Sequence, residues 1–121
     1  MLPELRLEES NLTRKVFDKL LLEAVDEALA SLGDSAKQAI YFHLEDKFKI
    51  ARNEIPQRVE DFGDGLEKIF GMGAQFLEIL IMKQLHERIG SPLELDESKE
   101  LVFVEYVAAA RRSFKKERKR S

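Results

Sequence analysis

Apolar residues recur at every third or fourth position along most of this chain, the spacing that places side chains on one face of an α-helix. The first such stripe begins after Asn11 and ends at Gly33, a residue type that tolerates the left-handed conformation in which helices often stop. No strand-like alternation of apolar and polar residues competes with it, so the pattern predicts a long first helix. Its apolar members are Leu12, Val16, Phe17, Leu20, Leu21, Ala24, Val25, Ala28, Leu29 and Leu32.

Two shorter stripes follow the first helix. The second helix is predicted to start within residues 34–38, where Ser35 and Gln38 have the spacing of a capping box, in which each side chain serves the other residue's backbone N–H. A third helix is predicted from Pro56, a residue type favoured in a first helical turn. Gly63 and Gly65 lie inside this third segment, so we expect a kink or a break there.

The fourth and fifth helices complete the predicted fold. Apolar residues cover most of the circumference of the segment Ala74–Ile89, which predicts a helix in the middle of the domain. Near Val102 and Phe103 the last segment also resembles a strand, but three alanines and a basic end favour a helix from about Glu97. The sequence therefore predicts an all-α, compact single-domain bundle of about five helices with a central hydrophobic helix near residues 74–89.

The predicted organisation has three parts. A chain of 121 residues suits one domain, since a second hydrophobic core would be too small to stand alone. Residues 1–10 show no clear period and are predicted to form an N-terminal arm. Residues 11–114 form the helical domain, and residues 115–121 form a basic C-terminal tail.

The composition excludes several classes of chemistry. The chain has no cysteine, so disulfides, thiolate nucleophiles and zinc–thiolate sites are excluded. The N-terminus lacks the basic and apolar regions of a signal peptide. The most apolar stretch, residues 76–85, is interrupted by Glu78 and Lys83 and is too short for a membrane span. We therefore expect a cytoplasmic protein without membrane insertion.

Charge is distributed unevenly along the chain. Residues 111–121 contain seven basic residues and one acid, a net charge of +6, whereas the remaining 13 basic and 22 acidic residues give residues 1–110 a net charge of −9. A basic end of this kind could bind the phosphates of a nucleic acid without sequence preference. A solvated helix end is the alternative. The candidate phosphate contacts are Arg111, Arg112, Lys115, Lys116, Arg118, Lys119 and Arg120.

No pattern of residues indicates catalysis. His43 and His86 lie on different predicted helices without a second histidine at metal-ligand spacing. Glu23, Asp26 and Glu27 cluster on the first helix, but acids on the polar face of a helix are usually solvated. The glycine pairs do not follow a strand, as a phosphate-binding loop requires. We therefore expect no catalytic residue, no cofactor and no metal site.

Three segments resemble a known family. They read LGDSAKQAIYFHL at residues 32–44, IFGMGA with FLEIL at residues 69–74 and 76–80, and FVEYV at residues 103–107. Together they resemble a small archaeal domain, the fifth of the Nitrosopumilus output domains, over about residues 20–115. The resemblance implies an archaeal protein that acts in signal transduction as an output or interaction module. It implies no activity that can be assigned to particular residues.

These observations favour a non-enzymatic signalling output or adaptor module that binds another protein through a helical surface. Nucleic-acid binding through the basic end is the alternative. Three consecutive leucines, residues 20–22, cannot all face one narrow seam of a helix, so one of them should face outward unless another element covers it. The predicted partner surface therefore comprises Phe17, Leu21 and Leu22, and the partner is either another protein or a second copy in a homodimer.

Overall fold

The computed structural model describes the backbone of residues 3–90 and 102–120 and the side chains of residues 11–90 and 102–115. Within these stretches the chain forms α-helices and short 3₁₀ helices and no strand, which confirms the predicted all-α fold. The α-helices are α1 (Pro3–Ala30), α2 (Asp34–Phe48), α3 (Val59–Phe70), α4 (Ala74–Ile89) and α5 (Phe103–Arg120). The 3₁₀ helices are Arg52–Gln57, between α2 and α3, and Gly71–Gly73, between α3 and α4.

Both ends of the predicted domain differ from the structure. The first helix begins at Pro3, so the backbone of residues 3–10, predicted as a separate arm, continues α1. A proline fits this position because the first turn of a helix needs no N–H donor. At the other end α5 extends to Arg120, and the predicted boundary between the domain and the basic tail lies inside a helix.

One continuous core holds the helices together. The helix α1 contributes an apolar face between Val16 and Leu29 and contacts α2, α4, α5 and the 3₁₀ helix Arg52–Gln57. Burying such side chains stabilises the fold by about 25 cal/mol for each Å² of apolar surface removed from water. Members less than 2% exposed include Phe17, Leu21, Val25, Leu29, Leu44, Ile50, Ile55, Phe62, Leu66, Ile81 and Leu85.

The cap at the start of α2 differs from the prediction. The helix begins at Asp34 with Gly33 as the N-cap residue, and no side chain caps it, so the predicted capping box between Ser35 and Gln38 is not formed. Gly33 has φ +106°, a conformation that a glycine adopts without strain. Asp34 then lies in the first turn, where the positive end of the helix dipole stabilises its negative charge.

Helix α3 runs without interruption through its two glycines, so the chain does not break there. Gly65 lies where α3 packs against α2. A Cβ atom at that position would lie 2.8 Å from Cδ2 of Leu44 and 3.6 Å from Cδ2 of Phe48. The absence of a side chain therefore lets α2 and α3 approach closely. The break occurs later, at Gly71, whose φ of +60° ends α3.

Helix α4 lies where the sequence predicted, in contact with α1, α3 and α5. Its apolar residues are not all buried, however. Leu77, Ile81 and Leu85 are buried, whereas Phe76 and Ile79 are exposed on the opposite side of the helix. A domain of this size has too few elements to surround one helix completely, and one face of α4 is left in contact with water.

We expect the substitution Leu85→Ala to destabilise the protein by about 2–5 kcal/mol, because Leu85 is fully buried and its loss leaves a cavity. The matched control is Leu80→Ala on the same helix, where the half-buried leucine should cost only about 1–2 kcal/mol. Denaturant unfolding measures both. Equal losses for the two variants would contradict the orientation of α4.

Candidate functional site

Three large apolar side chains line the outer face of α4 and of the 3₁₀ helix that precedes it. Met72 is 96% exposed, Phe76 is 63% exposed and Ile79 is 43% exposed. Their spacing of four and three residues places them on one side of the helix, and we call them the apolar stripe. Lys83, one turn further on, continues the same face and is exposed. The stripe is thus a surface feature of a helix whose opposite face is core.

The area of the apolar stripe is large for a surface feature of a small domain. It exposes about 400 Å², if a fully exposed large apolar side chain offers about 200 Å². Single exposed apolar residues are normal on protein surfaces, but a contiguous patch of roughly 300–600 Å² is often functional. This stripe therefore is the strongest candidate for an interaction surface in the described part of the chain.

Carboxylates of α3 and α4 lie close to one another. Glu60, Asp64 and Glu67 are exposed along α3, at spacings of four and three residues that place them on one face of that helix. Glu78 of α4 is half-buried and lies over α3, since a Cβ atom at Gly63 would be 3.9 Å from its Oε2 atom. We call Glu60, Asp64, Glu67 and Glu78 the acidic face. Glu78 lies about 100° around α4 from Ile79, so it does not belong to the same side of that helix as the apolar stripe.

The electrostatics of Glu78 follow from this position. Burial, and then the negative charge of Glu67, raise the pKa of Glu78 above its usual value. Among the described residues, no basic side chain forms an ion pair with Glu78. The half-buried position of Glu78 therefore disfavours its charged form.

A groove lies between α3 and the end of α2, has a volume of about 530 Å³ and includes Asp64 and Glu67 of the acidic face in its lining. Arg58 donates hydrogen bonds to the backbone oxygen of Lys49 (2.6 Å) and to Asp61 (3.1 Å). The Arg58–Asp61 pair is thus engaged within the fold. The groove is lined by Phe48, Ile50, Arg58, Asp61, Asp64, Gly65, Glu67, Lys68 and Gly71.

The predicted partner surface does not lie on the outside of the fold. Phe17 and Leu21 are each 1% exposed, and Leu22 is half-buried against the core. The run of leucines is covered because α1 has neighbours on more than one side, including α2, α4 and α5. Phe17 and Leu21 therefore belong to the core, and the exposed apolar residues include Phe76 and Ile79 of α4.

The predicted phosphate contacts are divided by the fold. Arg111 is engaged internally: its guanidinium lies 2.9 Å from Asp18 Oδ1 and 4.6 Å from the centre of the Phe17 ring, and it donates a hydrogen bond to the Pro56 oxygen (3.1 Å). Arg111 is therefore a structural residue and not a free phosphate contact. Arg112 is exposed and Lys115 is half-exposed. The side chains of Lys116, Arg118, Lys119 and Arg120 lie outside the described residues.

Two of the acids clustered on α1, Glu23 and Asp26, have different partners in the fold. Asp26 accepts hydrogen bonds from Tyr41 (2.5 Å) and from Arg52 Nε (3.0 Å), and Glu23 lies 3.9 Å from Arg88. Burial opposes ionisation of Asp26, but the bonds from Arg52 and Tyr41 outweigh it, and the pKa of Asp26 is lowered. A carboxylate held in its charged form in this way supports the structure and is a poor general acid.

The two histidines lie on different helices, His43 on α2 and His86 on α4. The hydroxyl of Tyr106 lies 3.3 Å from Nδ1 of His86, and burial raises the pKa of Tyr106 to about 12. His43 is exposed, with its ring against that of Phe42 at 6.1 Å. In the described parts of the chain, no three histidine, aspartate or glutamate side chains are grouped in a way that could hold a metal ion.

Comparison with known proteins identifies no family or function for this chain. The chain matches no known protein family, no curated protein and no solved structure. The resemblance to the fifth Nitrosopumilus output domain therefore stays a prediction. Within the described residues, no helix combines the length and the apolar character needed to cross a membrane.

The sequence contained a signal for the apolar stripe. Eight large apolar residues surround a helix of 16 residues, yet a helix in a small domain can be covered on little more than one side. Some of those residues must therefore be exposed. Which ones they are depends on how α4 is rotated against its neighbours, and the sequence period alone does not fix that rotation.

We expect Arg111→Ala to destabilise the protein by about 1–3 kcal/mol, because Asp18 would lose its ion-pair partner and the Phe17 ring its cation. Arg112→Ala, one residue further and exposed, is the matched control and should change stability by less than about 0.5 kcal/mol. Thermal unfolding compares the two variants. A greater loss from Arg112→Ala would mean that α5 does not turn Arg111 toward α1.

Proposed function

We propose that this domain is a non-enzymatic signalling output or adaptor module that binds another protein through the apolar stripe. The observation that carries the proposal is the exposure of Met72, Phe76 and Ile79 on one side of α4. A helix face with apolar anchors at such spacings is a common way in which helices dock against partners. The stripe thus takes the role for which the sequence suggested Phe17, Leu21 and Leu22.

The size of the stripe indicates a reversible interaction. Standard stable interfaces bury about 800 Å² on each partner, roughly twice what the stripe offers. An aromatic anchor such as Phe76, surrounded by aliphatic side chains, can still supply most of the binding energy of a small interface. Weak and reversible binding suits a module that passes on a signal.

Two further points belong to the proposal. The resemblance of residues 32–44, 69–80 and 103–107 to an archaeal output domain supports a role in signal transduction. A cytoplasmic location agrees with the absence of a membrane-spanning helix among the described residues and is proposed with it. Among the described acids of α1, Asp26 pairs with Arg52 and Glu23 lies near Arg88, so these two carboxylates serve contacts between helices.

Nucleic-acid binding through the basic end is the second candidate. It is supported by the net charge of +6 over residues 111–121 and by the exposure of Arg112 on α5. Such binding would be electrostatic and independent of sequence. The two proposals use different surfaces, because the basic end belongs to α5 and the apolar stripe lies on α4.

The first proposal is tested by photo-crosslinking in the native cell. We expect a benzophenone amino acid at position 76 to crosslink the domain to a distinct protein, because that position would lie inside the interface. The matched control is position 42 on α2, since Phe42 is 66% exposed and has the same side chain. Mass spectrometry identifies the product. The same crosslinks from both positions, or none from position 76, would contradict the proposal.

The second candidate predicts that removal of residues 115–121 abolishes binding to a double-stranded oligonucleotide and leaves the helical circular dichroism spectrum nearly unchanged. The affinity of the intact chain should fall at least tenfold between about 50 and 200 mM salt, since several phosphate contacts would be lost. Fluorescence anisotropy measures both effects. Binding that survives the deletion, or that ignores salt, would place the nucleic-acid site elsewhere.

A further inference from the structure

We infer that the basic end of α5 binds phosphates together with α1, in a site that spans the seam between the two helices. The side chains assigned to it are Arg14 and Lys15 of α1 and Lys115 of α5, and we call these three the basic seam. The ligand is the phosphate backbone of a nucleic acid. This inference rests on the second candidate function and adds two contacts that lie far from the C-terminal end in the sequence.

Helices α1 and α5 run antiparallel against each other. The ring of Phe17 in α1 lies 5.7 Å from the ring of Phe114 in α5. Further along α1, Glu23 lies near the C-terminal turns of α4, and the same turns contact Tyr106, which comes earlier in α5. Positions that rise along α1 therefore meet positions that fall along α5, and the start of α1 lies beside the end of α5.

The ion pair between Asp18 and Arg111 fixes which faces of the two helices form the seam. Arg14 and Lys15 precede Asp18 by four and three residues, so they lie one turn away on that side of α1. Lys115 follows Arg111 by four residues and lies one turn away on the same face of α5. Since the helices are antiparallel, both turns lead in the same direction, and the three cations lie side by side about 6 Å beyond the ion pair.

The charges of the basic seam have no counter-ion among the described residues. The two members on α1 are exposed and Lys115 is half-exposed, and no ion pair between described residues involves any of the three. Asp18, the acid one turn away, is already paired with Arg111 and accepts a hydrogen bond from Gln57 (2.8 Å). Neighbouring cations repel each other, so an anion that lies between them is attracted by all three.

The distribution of charge favours a polyanion as the ligand. Residues 1–19 and 111–121, which include the two helix ends at the basic seam, contain 11 basic and 5 acidic residues, a net charge of +6. The other 9 basic and 18 acidic residues give residues 20–110 a net charge of −9. Positions 118 and 119 follow Lys115 by three and four residues and continue its face of α5. A row of basic positions one turn apart suits a row of phosphates, which a nucleic-acid backbone supplies.

An anionic membrane surface is a less suitable ligand. A helix that binds a bilayer presents an apolar face to the acyl chains beside its cations. The apolar residues of α5 face the core instead, and Phe103, Val107, Ala110 and Phe114 are each at most 9% exposed. The basic end of α5 therefore offers charge without an apolar face.

Fluorescence anisotropy of a labelled duplex of about 20 base pairs with the full chain tests this inference. The double variant Arg14→Gln/Lys15→Gln should weaken binding about tenfold at about 0.1 M salt and lower the slope of log affinity against log salt by about 2, because two phosphate contacts are lost. The matched control, Lys47→Gln/Lys68→Gln, removes the same charge from exposed lysines of α2 and α3. It should change the affinity less than about twofold. All variants should keep the helical circular dichroism spectrum.

Protection of lysines from acetylation is a second readout. Bound duplex should shield Lys15 and Lys115 from acetic anhydride and leave Lys47 and Lys68 as reactive as in the free chain. Mass spectrometry measures the extent of modification at each position. Full reactivity of Lys15 in the complex would overturn the inference, whatever the effect of its substitution on affinity.

The outcomes separate this inference from the function on which it rests. If removal of residues 115–121 abolishes duplex binding while Arg14→Gln/Lys15→Gln leaves it unchanged, the second candidate function stands and the inference is overturned. Equal losses from the two double variants would show that net charge alone governs binding and would overturn it as well. If the intact chain binds no duplex, both fail, and binding to vesicles of anionic lipid would then make a membrane surface the ligand.

Discussion

The burial of one face of α1 is the interaction on which the rest of this structure depends. Phe17, Leu21, Val25 and Leu29 recur on that face and are almost completely removed from water. Around it the chain places α2, α4, α5 and the 3₁₀ helix Arg52–Gln57, each of which contacts α1. Since short helices are marginally stable in isolation, each of these helices derives most of its stability from packing against this face of α1.

Polar contacts at the edges of that face determine which element lies where. Asp18 pairs with Arg111 of α5 and accepts a hydrogen bond from Gln57 (2.8 Å), and Asp26 pairs with Arg52. Burial is not directional and would tolerate other rotations of α1. The carboxylates add a geometric requirement, because a partly buried charge without its partner is costly. These pairs also explain why Arg111 is not free to bind a phosphate.

Covering α1 also creates the surface that we propose as functional. Helix α4 turns Leu77, Ile81 and Leu85 toward its neighbours, and the same rotation turns Phe76 and Ile79 to water. The apolar stripe is thus exposed as a consequence of how the core is packed.

The sequence by itself determined the helical content, the limits of α4 and the joint at Gly71–Gly73, because these depend on local period and on glycine conformation. Local patterns were less reliable for the caps and breaks. The pair Ser35 and Gln38 satisfied a capping pattern that the fold does not use, and Gly65 suggested a kink although it serves the close approach of Leu44. In each case the folded chain did not follow the local preference.

Only the tertiary structure decided which apolar residues are core and which are surface. The excess of apolar residues on α1 predicted a partner surface at Phe17 and Leu21, yet both are buried, whereas Phe76 of a helix predicted to be central is exposed. Apolar character specifies that a residue gains from leaving water, but not whether its own chain or a partner covers it. That choice depends on the rotation of each helix about its axis, which is fixed by packing between residues far apart in the sequence.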